Sequence, residues 1–391
     1  MTKYIFILSF LLFQLPIYSS LGLADLVIFL LNISYILSER RKLPKTKYKN
    51  LIIVFFFWLV IEPFFINEID LTFFINRLLR LVNLFFGVLI IPSVLFRNKK
   101  GLFKAIKFLC IICSLLFILT ILEVILTNFN INFDVRLLNR DEPKISTRPY
   151  SIYSEPSILA IVLVLSNYMI YFTKKVVNKS STFFNFFLFI NTITILLTLT
   201  FSGIIGILSF LILTLKTKEK IYLISSIFIL TLFLNINVDI IKENFTQRFE
   251  KIINNEDNSA NQRLIGSWTV PFLVLDNIYV GSGTGQEIPF LDKFNLTGLD
   301  NFSSFNVKIN NSLALIFLEN GLIGLFIFVL LILSFYKINK FLPIIILYYT
   351  FVHGSYFSAV IWCVVIIFIS LSLNDKQDSA NLKFKVIKTP V

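Results

Sequence analysis

About twelve apolar stretches run through this chain, separated by loops that are alternately short and basic, then polar and poor in Lys and Arg. That alternation predicts an all-α polytopic membrane protein with about twelve transmembrane helices. Composition argues the same way. With 56% hydrophobic residues and 45 Phe in 391, and a mean hydropathy of +0.81, too little polar surface remains for a soluble globule.

The expected spans cover residues 4–20, 22–37, 51–66, 72–96, 105–127, 156–173, 182–200, 203–215, 221–236, 311–335, 341–352 and 355–373. Together they make residues 1–391 a single transmembrane domain. The first is expected to be retained, because no small-residue cleavage site follows it and a second apolar run begins at Leu21. With the N-terminus inside, the cytoplasmic segments hold 24 of the 36 Lys and Arg. Ten lie in outward loops, and Arg77 and Arg80 lie within the fourth span, so the positive-inside bias supports this orientation. The net charge of +13 is therefore a topology signal. A nucleic-acid partner would need that charge gathered on one soluble face, which such a chain lacks.

Two outward loops are long, residues 128–155 and 237–310, and loops of that length without domain signals of their own tend to carry function. In the second, residues 239–253 and 264–275 place their apolar side chains near one helical face and are expected to be interfacial helices.

Several motifs read as structural. Cys110 and Cys113 have CxxC spacing but lie inside an apolar span without a histidine or second cysteine pair, so helix packing outweighs a metal site. Cys363 is also within a span, and no disulfide is expected in the outer loops. The run Gly281-Ser282-Gly283-Thr284-Gly285 reads first as a flexible turn and second as a phosphate-binding nest. It follows no parallel strand, so it is not a dinucleotide fingerprint. No P-loop is present, and neither metal nor cofactor is predicted.

Ionisable residues within spans default to function because a charge costs several kcal/mol at the bilayer centre, on the order of 3 by insertion scales. Asp25, Arg77, Arg80, Glu123 and Glu319 qualify. Arg77 and Arg80 share a helical face, where they are expected to meet lipid phosphate or to pair with Glu62. His353, the single histidine, falls at the turn between the last two spans and is a minor candidate for proton transfer. The richest cluster is Arg148-Pro149-Tyr150-Ser151-Ile152-Tyr153-Ser154-Glu155-Pro156-Ser157, where the chain re-enters the membrane and Pro156 suits the first turn of a helix. Arg263, ahead of Trp268, is a second cation that could join Arg148 in gripping one diphosphate through paired hydrogen bonds.

The chain resembles the O-antigen polymerase and O-antigen ligase superfamily of multi-spanning, GT-C-type glycosyltransferases. The resemblance is carried by RPYSIYSEPS at 148–157, FSG at 201–203, NQRLIGSWTVPFLVLDNIYVGSGTGQ at 261–286 and NNSLALIFLENGLIGLFIF at 310–328, in the order typical of that family. Two departures stand out. Asparagine replaces the histidine usual in the ligase branch ahead of the 310–328 helix, which favours a polymerase, and the family's Ser-Arg-Gly is Phe201-Ser202-Gly203, which leaves one anion contact to Arg77, Arg80 or Arg248.

The resemblance implies transfer of a growing glycan from undecaprenyl diphosphate onto a lipid-linked repeat unit, outside the bacterial inner membrane. Arg148 and Arg263 are the candidate diphosphate contacts. Glu155 is the first candidate base and His353 the second, while Arg77, Arg80, Tyr153, Asn310 and Asn311 complete the substrate-binding set. The expected partners are the undecaprenyl diphosphate-linked oligosaccharide and the bilayer, with a chain-length regulator left open. A ligase acting on lipid A core is the alternative within the superfamily, and a lipid-linked sugar transporter or flippase is the alternative outside it.

Overall fold

The computed structural model describes residues 1–13, 16–18, 21–37, 48–66, 68–95, 99–129, 131, 149, 151–153, 155–177, 182–214, 267–274, 277–293, 311–353 and 356–387. These are overwhelmingly helical: α1 (Thr2–Leu11), α2 (Leu23–Leu37), α3 (Lys49–Ile61), α4 (Leu71–Leu95), α5 (Lys99–Asn128), α6 (Pro156–Val177), α7 (Thr182–Leu197), α8 (Phe201–Thr214), α9 (Ser267–Val274), α10 (Glu287–Lys293), α11 (Ser312–Ser334), α12 (Leu342–Val352) and α13 (Ala359–Ile387). Pro16–Tyr18 and Leu21–Gly22 form a short antiparallel pair. Among the described residues, four helical stretches are long and apolar enough to cross a membrane: Leu71–Pro92, Lys99–Thr127, Pro156–Val176 and Ser312–Lys337. Six more are apolar but only 10–17 residues long. The protein is a helical membrane protein. The expected span at 221–236 and the interfacial helix at 239–253 lie outside the described residues.

The chain divides into two compact units, one drawn from Lys3–Leu23 and Lys99–Asp257, the other from Ala24–Asn98 and Asn258–Val391. In the first, α6 packs on α5, α7 and α8. It is buried almost throughout, from Leu159 to Met169. By contrast, α5 leaves Ile111, Leu115, Ile118, Leu122 and Ile125 exposed. Their three- and four-residue spacing makes one apolar stripe, as a lipid-facing surface requires. Cys110 and Cys113 are on the buried side with free thiols. Leu199 has positive φ, and the Thr200 hydroxyl accepts the Gly203 amide at 3.1 Å. This capping bond starts α8 close to the split expected at Ser202-Gly203.

The first span is shorter than expected. α1 stops at Leu11, and Pro16, which has no N–H to donate to a helical ladder, lies in the strand pair instead. The freed Leu11 carbonyl accepts the Tyr153 hydroxyl at 2.9 Å.

In the second unit α4 packs on α13, and α11 packs on α3, α9 and α12. Aromatic side chains fill the space between helices: Phe85 meets Trp362 edge-on at 4.7 Å, and Phe55 lies 5.6 Å from Phe328. Some of the phenylalanines are thus packing material between helices, while others, such as Phe57, Phe64 and Phe326, are exposed on the apolar surface.

Candidate functional site

Within the second unit, α11 is broken. Gly321 has φ 64° and ψ −168° between two helical halves. An intact helix would pair the Leu322 amide with the Leu318 carbonyl, and the Ile323 amide with that of Glu319. Instead, residues 277–286 enter the ladder. Leu322 N–H donates to Ile278 at 2.9 Å and Ile323 N–H to Tyr279 at 3.2 Å, while Ser282 N–H reaches Leu318 at 2.8 Å and Gly283 N–H reaches Glu319 at 2.7 Å. Four inter-segment bonds replace two helical ones, so the break leaves none of these groups unpaired, as an apolar surrounding demands. Glycine is required where the two backbones touch. A Cβ at Gly321 would lie 2.2 Å from the Tyr279 carbonyl oxygen, and one at Gly281 (φ +85°) 2.5 Å from the Gly321 nitrogen.

The glycine-rich run is therefore a buried wedge in the break of α11. The Thr284 amide of this run donates to a carboxyl group of the protein itself. Glu62, in the 3-10 turn that ends α3, is fully buried. Its carboxylate accepts the Thr284 amide at 2.7 Å, the Thr284 hydroxyl, and the Asn320 amide group at 3.1 and 3.0 Å. Asn320 also donates to the Thr284 hydroxyl at 2.7 Å. Downstream, the Gln286 side-chain amide pairs with the Asp70 backbone, accepting its N–H and donating to its carbonyl, both at 2.9 Å. The Asp70 carboxylate in turn caps α4 by accepting the amides of Thr72 and Phe73.

Arg77 and Arg80 do share a face of α4, but neither pairs with Glu62. Arg77 lies 3.0 Å from the Glu319 carboxylate, which also accepts the Tyr356 hydroxyl at 2.8 Å. Arg80 grips Asp25 with two parallel bonds of 3.0 and 2.6 Å. Both guanidiniums lie over Phe357, at 3.5 and 5.1 Å from its ring centre. The reason Glu62 loses this competition is positional. At the end of α3 it meets the glycine turn, whereas Glu319, beside the helix break, meets α4. The result is a polar core of three carboxylates and two guanidiniums inside an apolar unit. The Arg77 and Arg80 side chains are 14% and 16% exposed, whereas their carboxyl partners are almost fully buried.

His353 and Asn311 are brought together at one end of α11. The His353 carbonyl accepts both the amide and the hydroxyl of Ser312, and its ring stacks on Tyr349 at 5.0 Å. Asn311 is the N-cap of α11, its side-chain oxygen receiving the amides of Leu313 and Ala314 at 2.9 and 3.3 Å. Trp268 and Phe272 of α9, from the helix expected at 264–275, pack on Phe317 of α11.

In the first unit, Glu155 stands immediately before Pro156, the first residue of α6, and its carboxylate accepts the Ser157 hydroxyl at 3.2 Å. Tyr153 is buried. Burial pushes its phenol well above the usual tyrosine range. Glu123, near the C-terminal end of α5, accepts the Ser151 amide at 2.8 Å. Arg148, Arg263, Arg248 and Asn310 lie outside the described residues.

Glu319 stood out in the sequence, Glu62 only as a partner for Arg77 or Arg80, and Asn320 and Gly321 only as letters of the 310–328 motif with no role of their own. The signal was Asn-Gly, a turn-forming pair, following a carboxylate in the middle of an apolar span. No protein-family model matches the chain, and neither does any curated protein.

Proposed function

We propose that the protein is a surface-glycan polymerase of about twelve spans and GT-C-like architecture, acting at the outer face of the bacterial inner membrane. It transfers a growing glycan from undecaprenyl diphosphate to a lipid-linked repeat unit. The observation that carries this reading is the union of two motifs named by the resemblance. The glycine run of 261–286 is the segment that fills the break in the 310–328 helix. Motifs that follow one another in the sequence thus build one buried polar core, as parts of a single working site would.

The reaction needs neither metal nor nucleotide, because the lipid diphosphate is already a good leaving group. The acceptor hydroxyl attacks the anomeric carbon, its proton passes to a base, and the carbon–oxygen bond to the diphosphate breaks with its electron pair on the phosphate oxygen. Glu155 is the proposed base, with His353 second. Arg148 and Arg263 are the proposed diphosphate contacts, supplying fixed donors where charge develops. Arg77 and Arg80 follow with the donors their carboxylates leave unused, since a guanidinium has five N–H groups. Tyr153, Asn310 and Asn311 fall in the motifs that meet the glycan.

A deletion strain tests the reading. Lipopolysaccharide capped with a single repeat is expected. Uncapped core with retained lipid-linked polymer would make the protein a ligase, and repeat units trapped on the cytoplasmic side would make it a flippase.

A further inference from the structure

In the first unit a carboxylate is spent on holding backbone. Glu123 is buried in the apolar helix α5, five residues before its last residue Asn128, which is about 7.5 Å along the axis. There it receives the amide of Ser151, 28 residues later in the chain. Ser151 is itself buried and adopts φ 52°, a left-handed conformation that a non-glycine residue keeps only when its surroundings enforce it. Two residues on, the buried Tyr153 hydroxyl is fixed to the Leu11 carbonyl. Glu155 then begins the turn of α6, its carbonyl accepting the amides of Ile158 and Leu159. Glu155 is four positions after Ser151, a reach of at most about 14 Å. Ser151 is thus held a short reach ahead of the first turn of α6, which Glu155 opens.

We propose that Glu123 is a positioning residue for Glu155, fixing it through the Ser151 amide, in the glycosyl transfer proposed above, on which this role rests. A buried carboxyl oxygen suits the task, since the Ser151 amide has a fixed acceptor there and the bond offsets part of the strain at Ser151. Proton transfer is sensitive to such placement, because a misplacement of about 1 Å can cost on the order of a hundredfold in rate.

The test compares Glu123→Leu, which cannot accept the amide, with Glu123→Gln, which can. Membrane vesicles containing each full-length variant are given undecaprenyl diphosphate-linked repeat units extracted from a deletion strain. Per folded molecule, E123L is expected to lower kcat at least about tenfold with KM within about twofold, and E123Q to stay within about threefold of the parent. In parallel, Glu155→Cys is labelled in both backgrounds with a membrane-impermeant maleimide; Cys110, Cys113 and Cys363 are buried. Labelling should change about fivefold or more with E123L and return toward the parent rate with E123Q. Equal labelling in all backgrounds, or equal kcat per folded molecule in E123L and the parent, overturns the proposal. If the parent protein makes no polymer while labelling shifts as expected, the polymerase reading fails and Glu123 is left as an anchor only.

Discussion

Thr284 gives both its amide and its hydroxyl to the carboxylate of Glu62, a residue 222 positions earlier in the chain. Replacing Thr284 by Val removes the hydroxyl at constant shape, leaving a buried carboxylate and the Asn320 amide group each short of a partner. Such a loss is expected to cost about 1–3 kcal/mol. Thr284→Ser, which keeps the bond, should cost less than about 1 kcal/mol. Thermal unfolding of the detergent-purified protein measures both, and equal midpoints for the two variants would remove this bond from the account.

The break in α11 depends on Gly321. Gly321→Ala puts a methyl group 2.2 Å from the Tyr279 carbonyl oxygen at a φ that L-residues avoid. The loss should exceed about 2 kcal/mol. The assay is the yield of monodisperse protein after detergent extraction, expected to fall severalfold. A normal yield at a parental unfolding temperature would mean that the helix runs unbroken.

Asp25 and Arg80 form a bidentate pair with little exposure. Asp25→Leu or Arg80→Leu alone strands a buried charge, for about 3 kcal/mol or more, whereas the double variant removes both charges and should be less destabilised than either single one. A double-mutant cycle with additive losses would contradict the pairing.

Tyr153→Phe deletes the bond to the Leu11 carbonyl, for about 1–2 kcal/mol. It should also flatten the alkaline limb of stability. Burial raises the folded phenol above its unfolded value of about 10. Its contribution is therefore complete below that pH and lost as pH rises toward the folded value. Melting at pH about 8 and about 11 should show a smaller drop for the Phe variant.

For the proposed reaction, Arg148→Lys and Arg263→Lys keep the charge but lose the planar fork, so each should leave the protein in the membrane and sharply shorten or abolish polymer. Glu155→Gln should stop turnover while lipid-linked substrate still binds. Glycan ladders on gels give the readout, and parental ladders would take the residue concerned out of the site.

Period and length in the apolar pattern were enough to place most helices. Residues expected at 72–96, 156–173 and 341–352 became Leu71–Leu95, Pro156–Val177 and Leu342–Val352, and Pro156 stands at the first turn, as its missing N–H predicts. These features depend on a residue and its near neighbours, which sequence displays directly. The same pattern could not show that α11 is interrupted, because a span with a break and one without are equally apolar.

Sequence alone, then, determined that this is a helical membrane protein and that Asp25, Arg77, Arg80, Glu123 and Glu319 must find partners, since an uncompensated charge is costly in an apolar surrounding. Only the tertiary structure decided which partners they find. Arg77 took Glu319, Arg80 took Asp25, and Glu62 took a glycine-rich turn instead of an arginine. Pairing depends on which helix ends meet in space, and a polar group pays no attention to sequence distance when hydrocarbon offers it nothing closer to bond.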